Sequence, residues 1–452
     1  MRGFRAFCII MSTLVFVLVP AAHAQVQGLT LDRTVAIALE RNLQVSQAQN
    51  NVESAQSGVL AAYGNYLPTL SASGSWNRYQ QDRPGTTPYY IGGVLIPGTT
   101  GFSVNNNFQT GVNLNYTVFD GFAREGSLSR ASSNAVSAEH QAARTKQAIV
   151  FQVESAYLNV LRDEQLVKVS EENLRRDERQ LERITESNRV GALSIADVYR
   201  QQSTVAADEL ALINAENNYN KAKTDLLALI GLDVSVEYAI GDSSISIEIS
   251  AAEMDSTVAR YSNFRSLSER ALNSRPDFLA AREQFNGADA GVGVARSGYF
   301  PRLNASASYG ISNTELSRIS DNKSLGWGLS IYWNIFDGFN TNQTLQSAIV
   351  QKKNAEVALL QAERDINADV KKAVLDLEAA RKQYEVSQKG LISATEDRKI
   401  AEERYNLGAG TLLDLLTANA GLVQAQADKV NAVYNYIIAK RNLEYVLGER
   451  AY

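Results

Sequence analysis

Two residue types that carry much of protein chemistry are nearly missing from this sequence. Its 452 residues include two histidines and one cysteine. Cys8 and His23 both lie in an N-terminal stretch that reads as a removed leader, which leaves His140 and no thiol. Zinc sites of Cys and His, thiol catalysis and disulfides are thereby excluded, and a Ser-His-Asp triad would have to use His140. A basic surplus is missing as well. Lys and Arg number 44 against 49 Asp and Glu, a net charge of -5, whereas nucleic-acid binding normally needs a basic stripe. There is no Walker-type phosphate loop, so any energy must come from a partner. Proline is scarce too. None occurs between Gly98 and Arg275 or after Pro301, which leaves room for very long helices.

The leader has three parts. Arg2 and Arg5 form a positive start, Phe7 to Val19 an apolar stretch, and Ala22-His23-Ala24 a small-residue cleavage site. An apolar run of about 13 residues is too short to cross ~30 Å of hydrocarbon as an anchor. Residues 1–24 therefore read as a cleaved signal peptide. Cys8 sits inside the apolar stretch, away from the cleavage site, so no lipid anchor is expected on the mature N-terminus.

The rest of the chain is two copies of one unit. Phe119-Asp120-Gly121-Phe122 matches Phe336-Asp337-Gly338-Phe339 at an offset of 217 residues. The same offset relates Gly191 to Gly408, Asp197 to Asp414, and Leu229-Ile230-Gly231 to Val446-Leu447-Gly448. Leu67-Pro68-Thr69-Leu70 and Phe300-Pro301-Arg302-Leu303 are 233 apart, so the first copy carries 16 extra residues after Pro68, with Pro84, Pro88 and Pro97 among them in a longer loop. The expected organisation is a first structural repeat over 25–231, a linker or equatorial segment over 232–262, and a second repeat over 263–452.

Each unit shows two periodicities. Residues 123–188 and 340–406 are rich in Ala, Gln, Glu, Arg and Leu and read as helices of about 100 Å. Ile149, Val153, Ala156, Val160 and Ile366, Val370, Ala373, Leu377 step 4-3-4 in the same phase, a coiled-coil seam. Return helices are expected over 194–230 and 411–447, and shorter ones of about 34 residues over 30–63 and 264–298. Around the prolines the period switches to two. Phe108, Thr110, Val112, Leu114, Tyr116 and Val118 alternate with Gln109, Gly111, Asn113, Asn115 and Thr117; Leu325, Trp327, Leu329, Ile331, Trp333 and Ile335 alternate likewise. Residues 69–80 and 302–313 alternate more weakly. All three tryptophans and many Tyr and Phe residues fall in these strands or at their ends, as a membrane barrel's interfaces require. A pair of hairpins in a soluble sandwich is the alternative, but no other strand-rich segment supplies a second sheet.

Four strands do not close a barrel, and open edges in hydrocarbon leave backbone groups unpaired. The chain must then oligomerise: a dimer gives 8 strands, a trimer 12, a tetramer 16. Eight-stranded barrels are filled by their own side chains, so a conducting pore favours three subunits or more. The fold class is an α+β membrane protein, a shared β-barrel continued by a long α-helical coiled-coil barrel.

The sequence also resembles the TolC-like outer membrane efflux proteins. The resemblance is carried by Ala271-Leu272-Asn273-Ser274-Arg275-Pro276-Asp277 with Ala280-Ala281, by Ala295 to Leu303, by the aromatic-Asp-Gly joints, and by Tyr405-Asn406-Leu407-Gly408 with Asp414. It runs from about residue 29 to 449. It implies a homotrimer with a 12-stranded barrel in the outer membrane and a helical barrel crossing the periplasm. It also implies a periplasmic adaptor (membrane fusion) protein and an inner-membrane pump of RND or ABC type as partners. The activity implied is passive efflux of small molecules or type I protein secretion. A non-conducting periplasmic coiled-coil adaptor is the rival from another class.

No catalytic constellation, metal site or cofactor motif is found. Carboxylates interleave with Lys and Arg along the helices and read as solvated faces; Gly287, Gly291 and Gly293 read as close helix packing. The informative sites are two turns, residues 188–197 and 405–414. Gly191 and Gly408 suit a left-handed helix end, Ser194 and Thr411 the following N-caps, and Asp197 and Asp414 the N3 position. By resemblance Val190, Gly191, Ala192, Leu193 and Ser194 with Leu407, Gly408, Ala409, Gly410 and Thr411 would contact the adaptor. Tyr405 and Asp197 would hold the periplasmic tip closed and Asp414 would ring the pore. Gly410 and Thr417 stand where the family's well-studied gate has an arginine and a second aspartate, which implies a weaker latch.

Overall fold

A computed structural model describes residues 27–83, 85, 87–98, 101–242, 249–261 and 263–449. The leader, its Arg2, Arg5, Cys8 and His23, and Pro84 lie outside the described residues.

The first half runs β1 (Gln27–Leu29), α1 (Leu31–Arg41), α2 (Leu43–Gly64), β2 (Thr69–Arg83), β3 (Tyr89–Ile91), β4 (Val94–Ile96), β5 (Gly101–Phe119), α3 (Ala123–Arg189) and α4 (Ile195–Leu229). The second runs β6 (Tyr238–Ile240), α5 (Ala251–Arg260), α6 (Phe264–Ser274), α7 (Pro276–Arg296), β7 (Arg302–Asn313), β8 (Lys323–Tyr332), α8 (Asn340–Asn406) and α9 (Leu412–Val446). The long helices α3 and α8 each have 67 residues, and α4 and α9 each have 35.

Four expectations need correction. The helices expected over 30–63 and 264–298 are each broken. Pro276 forbids α-conformation in Arg275, whose ψ is 120°, and starts α7 afresh; Asn42 is likewise extended, and its side chain accepts from the Gln44 N–H at 2.9 Å. The last strand stops at Tyr332, so Trp333 and Ile335 lie beyond it, and the Trp333 indole donates to the Tyr299 carbonyl at 3.1 Å. The long loop of the first half folds on itself as the β3–β4 hairpin. The segment 232–262 holds strand and helix rather than linker alone, because β6 pairs in parallel with β1.

The main sheet has the order β2-β5-β7-β8, with every pair antiparallel. Its register sorts the side chains into rows. Leu70, Leu114, Ala307 and Trp327 are cross-strand neighbours, as are Ala72, Val112, Tyr309 and Leu325. On the opposite face Ser71, Asn113, Ser308 and Gly326 form one row and Thr69, Asn115, Ser306 and Gly328 another. One face is apolar and the other is Ser, Asn and Gly. Trp327 is 84% exposed and Leu329 70%, and β2 and β8 have no partner on their outer sides among the described residues.

Sheet passes to helix through the two Phe-Asp-Gly-Phe joints. The Asp120 carboxylate accepts from the backbone N–H groups of Ala123 and Arg124, at 3.2 and 3.1 Å, and Asp337 accepts from Thr341 at 2.8 Å. Gly121 and Phe122 both have left-handed φ, 70° and 68°, and a Cβ on Gly121 would stand 2.7 Å from that of Phe300. Phe122 is costly there. Its ring is held edge-on by Phe119, as Phe339 is by Phe336, each pair with centroids 5.5 Å apart.

The core lies around the middle of the long helices. Ile149, Val153, Tyr157 and Val160 of α3 pack with Leu226 of α4 and with Leu29, Leu31 and Ala38. Ile366, Val370, Ala373 and Leu377 of α8 pack with Val433, Tyr436 and Leu443 of α9 and with Leu267 and Ala271. The 4-3-4 seam is therefore core in both halves. Tyr157 is fully buried, and its hydroxyl donates to the Leu29 carbonyl at 2.8 Å, which fastens β1 to α3. Gly287 lies against Ser133 and Asn134 of α3 as close packing requires, whereas nothing is within 4 Å of a Cβ built on Gly293.

Candidate functional site

The far ends of α3 and α8, opposite the sheet, turn directly into α4 and α9. Both turns use the same backbone device. The Ala192 N–H donates to the Ser187 carbonyl at 2.9 Å and the Ala409 N–H to the Arg404 carbonyl at 2.8 Å. These bonds bring Gly191 and Gly408 to φ of 79° and 71°. Nothing lies within 4 Å of a Cβ built on either glycine, so conformation and not space selects the residue.

The caps differ, against the expectation of matching turns. Thr411 and Asp414 form a capping box: the Asp414 N–H donates to Thr411 Oγ1 at 3.1 Å, and the Thr411 N–H to Asp414 Oδ2 at 3.0 Å. Those bonds from Thr411 hold the Asp414 carboxyl below the usual carboxylate range. Ser194 instead accepts from the Ala196 N–H at 3.1 Å, and Asp197 turns away to bind Arg200 at 3.1 Å. Asp414 is an exposed anion fixed by its own helix, while Asp197 is half-neutralised by a neighbouring cation.

Between the two turns lies a small apolar cluster. Ile184, Val198 and Leu412 are buried, with Leu181, Leu193, Tyr405 and Leu416 packed against them. The structure brings Tyr405 and Asp197 near each other without bonding them. Burial, and then the negative charge of Asp197, raises the Tyr405 phenol above its usual value. The Tyr405 hydroxyl is buried and has no hydrogen-bond partner among the described residues. Of the ten turn residues named from the sequence, Leu193 and Gly410 are half-buried and Val190, Gly191, Ala192, Ser194, Leu407, Gly408, Ala409 and Thr411 are exposed. Leu407 is 83% exposed and Val190 70%, an apolar surface at the extreme end of the molecule.

One feature of this end was not legible in the sequence. A few turns behind the tip, Asn173, Asp177 and Gln180 of α3, Gln201 of α4 and Asn419 of α9 are all buried. The reading of the carboxylates as solvated faces fails here. Gln201 donates to Asp177 Oδ1 at 3.1 Å, and Asn419 donates to the same oxygen at 3.4 Å. Among the described residues no group of three or more His, Cys, Asp or Glu is placed to hold a metal ion, and no helix is long and apolar enough to cross a membrane. On the sheet, the apolar residues Trp327 and Leu329 are largely exposed.

Comparison with known proteins agrees with this architecture. A family model described as outer membrane efflux protein matches residues 34–232 and 267–449. The chain is 24% identical over 425 residues to the probable efflux pump outer membrane protein TtgC of Pseudomonas putida, covering 92% of this chain and 82% of that protein. It is 26% identical over 321 residues to the outer membrane protein TolC of Escherichia coli, covering 67% of this chain and 62% of that one. Among solved structures, the outer membrane protein VceC of Vibrio cholerae superposes with a TM-score of 0.77 at 20% identity, covering 92% of this chain and 96% of that one.

Proposed function

The chain belongs to the outer membrane efflux protein family, and from that premise we propose that three copies form one continuous, passive duct across the outer membrane and periplasm. It is an outer membrane efflux channel; its family forms channels and not enzymes. The observation that carries the proposal is the open four-stranded sheet, with an exposed apolar face and two edges unpaired among the described residues. Three such sheets, joined β8 to β2, make a closed 12-stranded barrel that leaves no edge in hydrocarbon. The Ser, Asn and Gly rows then line a wet lumen, and the Leu, Trp and Tyr rows face lipid.

The helices close the same way. Helix α2 lies on α3, and α7 sits between α3 and α8. The outer side of α8 is left with exposed Val350, Val357 and Leu360, and α2 with exposed Leu43, Leu60 and Tyr63. These two faces fit each other across a subunit boundary. The equal lengths of α3 and α8, and of α4 and α9, support reading 25–231 and 263–452 as two structural repeats with 232–262 at the equator. The lipid-suited sheet face favours this duct over a non-conducting periplasmic adaptor, which needs no such band. Purified protein is expected to be a detergent-soluble trimer with heat-modifiable migration on a gel. A stable, water-soluble monomer would overturn the reading.

A passive tube recognises little, so partners supply energy and select cargo. A periplasmic adaptor protein would dock on the exposed Val190 and Leu407 turns and link the duct to an inner-membrane pump of RND or ABC type. That TtgC serves an efflux pump supports efflux ahead of type I protein secretion. Tyr405 would hold the tip closed through another subunit, because its hydroxyl is unpartnered in its own chain. Tyr405→Phe is therefore expected to leave the melting temperature nearly unchanged, since one hydrogen bond of about 1 kcal/mol per subunit is small against the packing of the whole trimer. Resting conductance in a planar bilayer should rise. Lower stability with unaltered conductance would place the hydroxyl's role inside the subunit instead.

A further inference from the structure

The buried polar layer behind the tip has a composition that the capping and packing arguments leave unexplained. Asp177 on α3 is 2% exposed, and Asp208, two turns along α4 from Gln201, brings a second carboxyl to it. Two carboxylates placed together in a buried site repel each other unless they share a proton. The donors around the pair favour one placement of that proton. Asp177 Oδ1 already accepts from Gln201 and Asn419, so Asp177 acts as the acceptor. Asn173 donates to the Asp208 carboxyl and favours its charge, but among the described residues Oδ2 is buried with no donor, a costly arrangement for an anion and a natural one for a carboxylic acid that donates to Asp177.

The charged groups that face the pair do not remove the need for the proton. On α3, the charge of Arg176 favours the ionised form of Asp208 but is outweighed by burial and by Asp177; Arg176 spends its donor on Asn173 Oδ1 at 2.9 Å, and its Nε is buried without a partner among the described residues. Burial and then the charge of Arg398 lower its own affinity for a proton. On α8, Arg398 is occupied by Asn419 Oδ1 at 3.1 Å and by Glu402 at 2.9 Å. From α9 comes Asn419, which is neutral, and from α4 comes Gln201, also neutral. Glu172 adds a further negative charge beside Arg176.

We propose that Asp177 and Asp208 form a proton-sensitive latch: one shared proton ties α3 to α4 and, through Asn419 and Arg398, to α9 and α8, and its loss loosens the closed tip. Burial first, and then the hydrogen bond and charge of Asp177, push the Asp208 carboxyl up to about 7. Asp177 lies 12 residues before the end of α3, so the latch stands about 18 Å from the turn. At that distance a small splay between helices is magnified at the tip. The sign follows from proton linkage. The closed state holds the proton more tightly than an opened, hydrated state would, so acid favours the closed tip and the preference fades as pH rises through about 7. His140, the one described histidine, lies 37 residues before Asp177 on the same helix, about 55 Å away, too far to act there.

The consequence for conductance rests on the duct reading above; the shared proton itself does not. Two measurements on the full-length trimer keep these apart. Resting conductance in a planar bilayer is expected to rise several-fold from about pH 6 to about pH 8 in the wild-type protein. Asp208→Asn, whose amide donates to Asp177 at any pH, should hold conductance at its acidic level, with trimer migration unchanged. Asp177→Asn removes the neighbouring charge and should abolish the rise as well. In infrared titration, a protonated-carboxyl band should disappear as pH passes about 7 and be absent from Asp208→Asn. The same pH rise in both variants, or no band that Asp208→Asn removes, would overturn the latch. A wild-type trimer that never conducts would count against the duct, and the infrared band would still decide the shared proton.

Discussion

Leu329→Arg is expected to abolish membrane assembly. Leu329 lies in mid-strand on β8, beside Ala305 and in line with Tyr116, on the apolar face of the sheet. An arginine at the middle of a lipid-facing strand costs ~2–4 kcal/mol, and a trimer would bear it three times. Because β8 is an edge of the single-chain sheet, the penalty also falls where subunits must join. Asn113→Arg is the matched control. Asn113 stands in the row of Ser71, Ser308 and Gly326, whose side chains would face water, so its charge should be tolerated. Trp333→Arg should be milder than Leu329→Arg, since Trp333 lies past the strand with its indole bonded to the Tyr299 carbonyl, at the level where sheet meets helix. The yield of heat-modifiable trimer in outer membrane fractions would rank the three. Equal tolerance of Leu329→Arg and Asn113→Arg would mean that the two faces do not meet lipid and water.

Those faces could be read from sequence because the strand period is two and the antiparallel register keeps each row of side chains on one face. The long helices were equally legible: with no proline and few glycines inside, they end at Arg189 and Asn406, each two residues before Gly191 and Gly408 and within one residue of the ends expected from sequence. What was illegible has physical reasons too. Three-residue strands such as β1 and β6 carry no period, and their pairing depends on Tyr157 holding the Leu29 carbonyl from far along the chain. The break at Asn42 has no proline to announce it. The Asp177 layer escaped because a carboxylate interleaved with arginines looks the same in sequence whether water or another helix covers it. The unlike caps at Asp197 and Asp414 escaped because an aspartate at this position can accept either from the cap residue's N–H, as Asp414 does from Thr411, or from a following arginine, as Asp197 does from Arg200, and only geometry shows which.

That asymmetry sharpens the expectation for Asp414→Asn. In a trimer, a residue near the axis appears three times, and three carboxylates around a narrow opening attract cations. Mutual repulsion alone would push their protonation upward and partly discharge the ring. Here each Asp414 accepts a hydrogen bond from its own Thr411 N–H, which pulls in the opposite direction. The depressed carboxyl keeps its charge at neutral pH and loses it only as pH falls through a value below the usual ~4 of an aspartate. Cation selectivity and block by divalent cations should therefore persist into mildly acidic solution. Asp414→Asn removes the charge while leaving an amide oxygen able to accept from Thr411, so trimer stability should change little. Selectivity for cations and sensitivity to divalent block should both fall severalfold in planar-bilayer recordings. Asp197→Asn is the internal comparison. Its carboxylate is already paired with Arg200, so its removal should leave ion selectivity close to wild type. If Asp414→Asn instead lowered the melting temperature while selectivity and divalent block stayed as they were, Asp414 would be a helix cap and nothing more, and the pore ring would have to be sought on another residue of the 405–414 turn.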